Sequence, residues 1–311
     1  MTGVTGFVGS VLSQQLIQRG HEVSGLVRYV SVRDAESIAK SLPNVKAYWG
    51  DLQHIDSLRN ALKEDRPDII VNLASQSSVE YSFNNIREIY EADFMGTVNL
   101  SLAAMEFVPM LKKFIQASSM EVYGNQKILP LTEDMAPNPA SPYGIAKAAD
   151  EFHLKYLHQA FDFPVIITRC ANMHGRVSNT NFVVEHIITE LLAKHEEVKM
   201  GIPDSARDFM YVDDGVDFYA KLIESENDLA GEVINAGTNQ PISIRELFGI
   251  LEDMVKFHPA KVLWDSFSPR PFEIKALTMD VNKAMRLLGW WPRTTLADGL
   301  RKTVEHWRQA V

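Results

Sequence analysis

Tyr143 and Lys147 stand four residues apart in Tyr143-Gly144-Ile145-Ala146-Lys147, so on a helix their side chains share one face, a turn apart. A lysine ammonium placed there lowers the pKa of a phenol that ordinarily titrates near ~10. The phenolate can then take a proton from an alcohol while a hydride leaves the carbon that bears it. Upstream, Ser118-Ser119-Met120-Glu121-Val122-Tyr123-Gly124 supplies a hydroxyl, Ser119, to hold the same alcohol oxygen. Two positions further on is Glu121. Alcohol oxidation has no need of that carboxylate, but removal of a proton beside a newly made ketone does.

Tyr-x-x-x-Lys also occurs on surface helices, so the elements that position it decide its meaning. Gly3-Val4-Thr5-Gly6-Phe7-Val8-Gly9 runs into an apolar-periodic helix over residues 10–17. Its glycines permit a tight turn and close backbone approach, which lets the helix N-terminus meet a pyrophosphate. A dinucleotide fold needs a strand before this turn, and only Met1-Thr2 precedes it, so that strand is expected to be absent or very short. Residues 21–28 read as the next strand. Folds that hold NAD usually end it with Asp or Glu, for the ribose hydroxyls. Arg28 takes that place here, with Arg33 nearby. A guanidinium suits a 2′-phosphate, which favours NADP(H) while leaving NAD open.

Further short apolar runs alternate with helical patterns: residues 45–52 are a strand and its exit, 69–74 another, 114–118 deliver Ser119, and 165–169 follow the Tyr/Lys helix. This alternation predicts an α/β fold, a doubly wound parallel (Rossmann) sheet with ligands beyond the carboxyl ends of its strands. A chain of 311 residues, 46% hydrophobic, suits one large α/β domain with a C-terminal lobe. A net charge of −9 argues against nucleic acid or an anionic membrane as main partner. The single cysteine, Cys170, excludes an internal disulfide framework and fits a reducing cytosol. No run approaches the ~18 continuous apolar residues of a membrane span, and no signal peptide is visible, so the expected location is cytoplasmic.

With the glycine turn, Asn72-Leu73-Ala74, Ser119, Tyr143 and Lys147 in this order, the whole chain resembles the extended short-chain dehydrogenase/reductase family, whose members mostly act on nucleotide sugars. Asn72-Leu73-Ala74-Ser75-Gln76-Ser77-Ser78-Val79-Glu80-Tyr81-Ser82-Phe83 looks most like the corresponding stretch of GDP-mannose 4,6-dehydratases and their partner 4-keto reductases. The resemblance implies a dinucleotide domain over residues 1–170 and a nucleotide-sugar lobe mainly over 171–311, with segments around 208–237 returning to the core. It implies a nicotinamide cofactor held by Gly3, Gly6, Phe7, Val8, Gly9, Arg28, Asp51, Leu52, Leu73, Ala74 and Ser75, together with Tyr143 and Lys147. The nucleotide-diphosphate sugar would meet Ser78, Ser119, Met120, Asn172, Asn181, Phe182, Val183, Arg207 and Arg270; no metal is called for. Two arginines on one pyrophosphate make sense because their forks match phosphate oxygens. Members commonly dimerise through a four-helix bundle, for which residues 89–106 and 143–160 are the candidates.

The resemblance also has departures. Met120 stands where glucose-type dehydratases carry an Asp and mannose-type ones usually a Ser, and a thioether moves no proton. Ser78 replaces a histidine common in the mannose type, and Met173-His174-Gly175-Arg176 leaves the usual run. The reaction expected is 4,6-dehydration, with GDP-mannose the first substrate. The alternatives are a 4-epimerase or 4-keto reductase, which need only Ser119, Tyr143 and Lys147, and then a UDP-uronic acid decarboxylase.

Overall fold

The computed structural model describes residues 1–28, 40–176, 179–267 and 271–310. Arg33 and Arg270 lie outside them. Strands β1 (Val23–Val27) and β2 (Val45–Trp49) pair in parallel, and so do β3 (Ile69–Asn72), β4 (Lys113–Ser119), β5 (Val165–Cys170) and β9 (Val233–Ala236), in that order. Met1 and Thr2 join the two sets. Thr2 bridges Asn72 in parallel, its N–H donates to Val71 O at 3.0 Å, and Leu26 N–H donates to Met1 O at 2.9 Å. Two residues thus occupy the place of the strand before the glycine turn. Strand β5 is buried along its whole length, as a central parallel strand covered on both faces must be, and its Val-Ile-Ile run is the sequence trace of that burial.

Helices cover both faces. Helix Phe7–Gln18 buries Leu12 and Leu16 against Val216 and Tyr219 of helix Val212–Glu224 on one side. On the other, Leu58 and Leu62 of helix Ile55–Asp65 pack with Leu100, Ala103 and Ala104 of helix Gly96–Phe107 in one core that also takes in Leu154 and Leu157 of helix Pro142–Phe161. This is the doubly wound arrangement expected from the alternating pattern.

The chain leaves β5 and passes almost at once into β6 (Asn172–His174), which pairs with β8 (Ala206–Tyr211) outside the main sheet. Strand β8 also pairs with β10 (Pro241–Ser243) and β12 (Ala276–Leu277), and β7 (Glu197–Lys199) with β11 (Lys261–Leu263). Helices Val183–Leu192, Ile244–Val255 and Leu296–Ala310 pack on this layer around Ile187, Leu191, Leu247, Leu251, Leu300 and Trp307. A cleft of about 950 Å³ runs between this second core and the carboxyl ends of the main sheet, at the upper end of the range for small-molecule sites.

Candidate active site

Three elements bring the reactive groups to the cleft. Strand β4 ends at Ser119, and a 3-10 turn over Met120–Tyr123 follows, whose Glu121 N–H donates to Ser119 Oγ at 3.2 Å. Ser119 and Glu121 are thereby held on one side of a single tight turn, and both line the cleft. The tyrosine helix starts at a defined place. Ser141 caps it by accepting from Gly144 N–H at 3.1 Å, and Pro142 has its φ preset for the first turn. Gly144 is required by close approach: a Cβ there would stand 2.9 Å from the Glu121 carbonyl oxygen. Any side chain would push the helix, and Tyr143 with it, off the serine turn.

Tyr143, Lys147, Ser119 and Glu121 are all buried and all line the cleft. Ser119 lies where it acts on the Tyr143 hydroxyl, and Lys147 Nζ lies 5.9 Å from the centre of the Tyr143 ring. The phenol differs from expectation. Burial is its largest influence and leaves its pKa above the ordinary value. Lys147 and the Ser119 hydrogen bond pull it down, as the motif requires, while Asp93 and Glu121 add to the rise. Burial also pushes Lys147 down, but Asp93, with Tyr143 and with Asp150 when it is ionised, raises the ammonium above its ordinary value.

The cofactor side of the cleft is a cradle of backbone. Gly3 sits at φ +64°, and a Cβ on Gly9 would fall 2.1 Å from the Gly3 carbonyl oxygen, so the turn and the helix start touch without side chains between them. That surface fits a pyrophosphate laid on helical N–H groups. Gly3, Gly6, Phe7, Val8, Gly9, Leu73 and Ser75 line the cleft. Ala74 N–H donates to Thr2 Oγ1 at 3.1 Å, just behind them. Arg28 is exposed at the carboxyl end of β1, and Asp51 and Leu52 follow β2; none of the three lines the cleft. Asp51 Oδ1 accepts from Gln53 N–H at 2.9 Å, and Leu52 is buried beneath Gly96.

Ser78, Asn172, Asn181, Phe182, Val183 and Arg207 line the cleft as well. Ser78 also caps the short helix Val79–Asn84 through Tyr81 N–H. The Arg207 guanidinium is anchored on Ile274 O at 3.0 Å and Ala206 O at 2.9 Å. Met120 does not reach the cleft; it is fully buried beside Val122, Leu131 and Leu277.

Several cleft residues carry no signal that motif reading could catch. Arg176, from the run that departs from the family pattern, stacks 4.5 Å over Phe7 and 3.6 Å over Phe182. Its Nε lies 3.7 Å from Glu185, a carboxyl that burial raises to about 7 against the pull of Arg176. His174, lowered to about 4 by burial and then by Arg176, is held neutral beside Thr303. Behind the serine turn, Glu151 takes a two-pronged hydrogen bond from Arg169 at 2.9 and 2.6 Å and a third from Ser118 at 2.7 Å. The Arg169 guanidinium in turn stacks 4.5 Å over Tyr123. A saturated, dry ion pair of this kind fixes the ends of β4 and β5 relative to the tyrosine helix.

A parallel sheet with a backbone cradle, a buried Ser/Tyr/Lys set and an arginine-lined second lobe defines a nicotinamide-dependent enzyme of the Rossmann class. The model of a family described as GDP-mannose 4,6 dehydratase matches residues 1–303. A UDP-glucose 4-epimerase of Mycolicibacterium smegmatis is 32% identical over 99% of this chain and 97% of its own. Among solved structures, a UDP-glucose 4-epimerase from Thermotoga maritima with UDP-glucose superposes with a TM-score of 0.88 at 28% identity, covering 99% of this chain and 98% of its own. A dTDP-glucose 4,6-dehydratase from Streptomyces venezuelae, a double mutant with NAD bound, does so with a TM-score of 0.88 at 26% identity, covering 99% and 96%. The chain belongs to the extended short-chain dehydrogenase/reductase family of nucleotide-sugar epimerases and dehydratases, and it is an enzyme of that family. No helix among the described residues is long and apolar enough to cross a membrane.

Proposed function

We propose that this enzyme is a nucleotide-sugar 4,6-dehydratase. The observation that carries the reading is Glu121, a carboxylate in the cleft on the same tight turn as Ser119 and beside Tyr143. Bound oxidised nicotinamide supplies the hydride acceptor and, once reduced, the donor. Tyr143 takes the proton of the sugar C4 hydroxyl while Ser119 holds that oxygen and Lys147 steadies the phenolate charge. The ketone at C4 acidifies the C5 hydrogen, and Glu121 removes it. Glu121 then returns the proton to the departing C6 hydroxyl, since Met120 has no proton to give. Asn172, Arg207 and Arg270 are assigned to the diphosphate, with Ser78, Asn181, Phe182 and Val183 along the rest of the substrate.

The cofactor is assigned as NADP(H), from the guanidinium of Arg28 at the tip of β1, with NAD the alternative because the bound relatives carry it. The domain division is 1–170 and 171–311, with 208–237 returning, and the location cytoplasmic. Met95, Leu102, Phe152, Tyr156 and Phe161 expose apolar surface on helices Gly96–Phe107 and Pro142–Phe161 and the turn before the first, which supports a homodimer through a four-helix bundle. The second reading is 4-epimerisation, favoured by the buried Met120 and by the epimerases similar to this chain. Incubation with GDP-mannose, UDP-glucose, dTDP-glucose and UDP-glucuronate, read by mass, separates the readings. Loss of one water supports the dehydratase, an isomer of unchanged mass the epimerase, and loss of carbon dioxide a decarboxylase.

A further inference from the structure

Lys147 is surrounded by more negative charge than its task at Tyr143 requires. Its Nζ lies 3.7 Å from Asp150 Oδ2, one turn along the same helix, with both side chains almost without exposure. Asp93, on the π-helical turn Tyr90–Met95 packed against that helix, acts on Lys147, Tyr143 and Asp150 alike. Glu151 is the remaining carboxylate that acts on Asp150.

These carboxylates are not equally provided for. Glu151 is saturated by Arg169 and Ser118. Both oxygens of Asp93 accept hydrogen bonds, from Ser75 Oγ at 2.6 Å and Gln76 N–H at 2.8 Å. Asp150 has two neutral neighbours, Gln116 Nε2 donating to Oδ2 at 3.2 Å and the Thr97 hydroxyl, while its Oδ1 makes no hydrogen bond of normal geometry in a place that water does not reach. Gln116 is itself fixed by Asn72 Nδ2 at 2.8 Å, so it cannot swing to serve the second oxygen. An ionised carboxylate with an orphaned oxygen is costly at zero exposure, whereas the neutral acid is far less so.

We propose that Asp150 is a positioning residue, held as the neutral acid in the resting enzyme so that the charge of Lys147 is directed to Tyr143, and that its ionisation weakens the hold of Lys147 on the phenolate. The inference rests on Tyr143 being the acid–base group of the reaction. Burial pushes the Asp150 carboxyl up to about 8, against the pull of Lys147 and with the help of Asp93. A protonated acid at neutral pH that ionises just above it makes the network under the active site sensitive to alkali.

The test needs no substrate, so its failure is separate from failure of the proposed reaction. In infrared spectra across the pH range, wild type should show a protonated-carboxyl C=O stretch that fades through about 8 and is missing in Asp150→Asn. Tyr143 is read separately, as the ultraviolet phenolate signal that Tyr143→Phe removes. Its midpoint should fall by about one pH unit or more in Asp150→Asn, since at the pH where a phenol titrates the aspartate is already charged. Should Asp150→Asn not fold, Asp93→Asn serves. Removing that neighbouring charge should shift the fading of the carboxyl band to lower pH by about one unit. A neutral-pH spectrum with no band sensitive to Asp150, or a Tyr143 midpoint unmoved by Asp150→Asn, overturns the proposal and leaves Asp150 a packing residue.

Discussion

Replacing Glu121 with glutamine tests the proposed chemistry at one atom. The glutamine preserves volume and reach, and it leaves in place the main-chain features of residue 121: its N–H on Ser119 Oγ at 3.2 Å and its carbonyl against Gly144. The geometry of Ser119 and Tyr143 should therefore survive, and only the ability to accept a proton is lost. A positioned general base contributes about 10²–10⁴-fold, which is about 2.7–5.5 kcal/mol on the C5 step alone. Hydride transfer from C4 precedes that step and is untouched. Under single-turnover conditions with a turned-over nucleotide sugar, Glu121→Gln should build up reduced nicotinamide on the enzyme, where wild type shows only a trace. In deuterated water it should leave C5 unlabelled while the 4-keto sugar accumulates. Wild-type turnover by Glu121→Gln would refute the reasoning: the carboxylate would then be a contact residue, and epimerisation, which needs only Ser119, Tyr143 and Lys147, would take its place.

Tyr143→Phe should abolish hydride transfer and leave nucleotide-sugar affinity by calorimetry nearly unchanged, because the phenol serves the transition state; turnover within about tenfold of wild type would remove it from the reaction. Arg28→Asp should weaken NADP(H) more than NAD(H), and equal affinities for both cofactors in wild type would leave Arg28 an ordinary surface arginine. Phe152→Glu with Tyr156→Glu should convert a dimer to a monomer by light scattering at micromolar concentration, and a wild-type monomer would count against the four-helix bundle.

The sheet, the glycine cradle and the Ser/Tyr/Lys set were legible because each is local. Burial on both faces writes a continuous apolar run such as Val165-Ile166-Ile167, the Gly3–Gly9 contact of the cradle spans six residues, and Ser141 caps the tyrosine helix three residues from Gly144. The place of Met1-Thr2 was not legible: two residues carry no period, and only pairing with Leu26, Val71 and Asn72 makes them part of the sheet. Met120 shows the same limit. Its neighbours Ser119 and Glu121 face the cleft, and the 3-10 turn carries the residue between them into the core, which no spacing rule reveals. The raised phenol of Tyr143 and the raised carboxyl of Asp150 come first from burial and then from charges such as Asp93, on a segment remote in sequence. Arg176, Glu185 and His174 belong to a run without a motif, so their stacking on Phe7 and Phe182 is purely a product of tertiary packing.

Cys170 ends the fifth strand of the cofactor sheet, and Asn172 begins the first strand of the other layer, with Ala171 alone between them. Cys170 is locked on both sides, by Ser119 across the ladder and by Ala236, while Asn172 is registered against Phe209. The joint at the floor of the cleft therefore has no slack. A push on the substrate-side strand is passed to the end of the serine strand through a lever one residue long, and the floor cannot act as a hinge. Whatever the cleft must do to admit and release its ligands falls to segments other than this joint, so altered substrate size is better sought in the other residues that line it than in the floor.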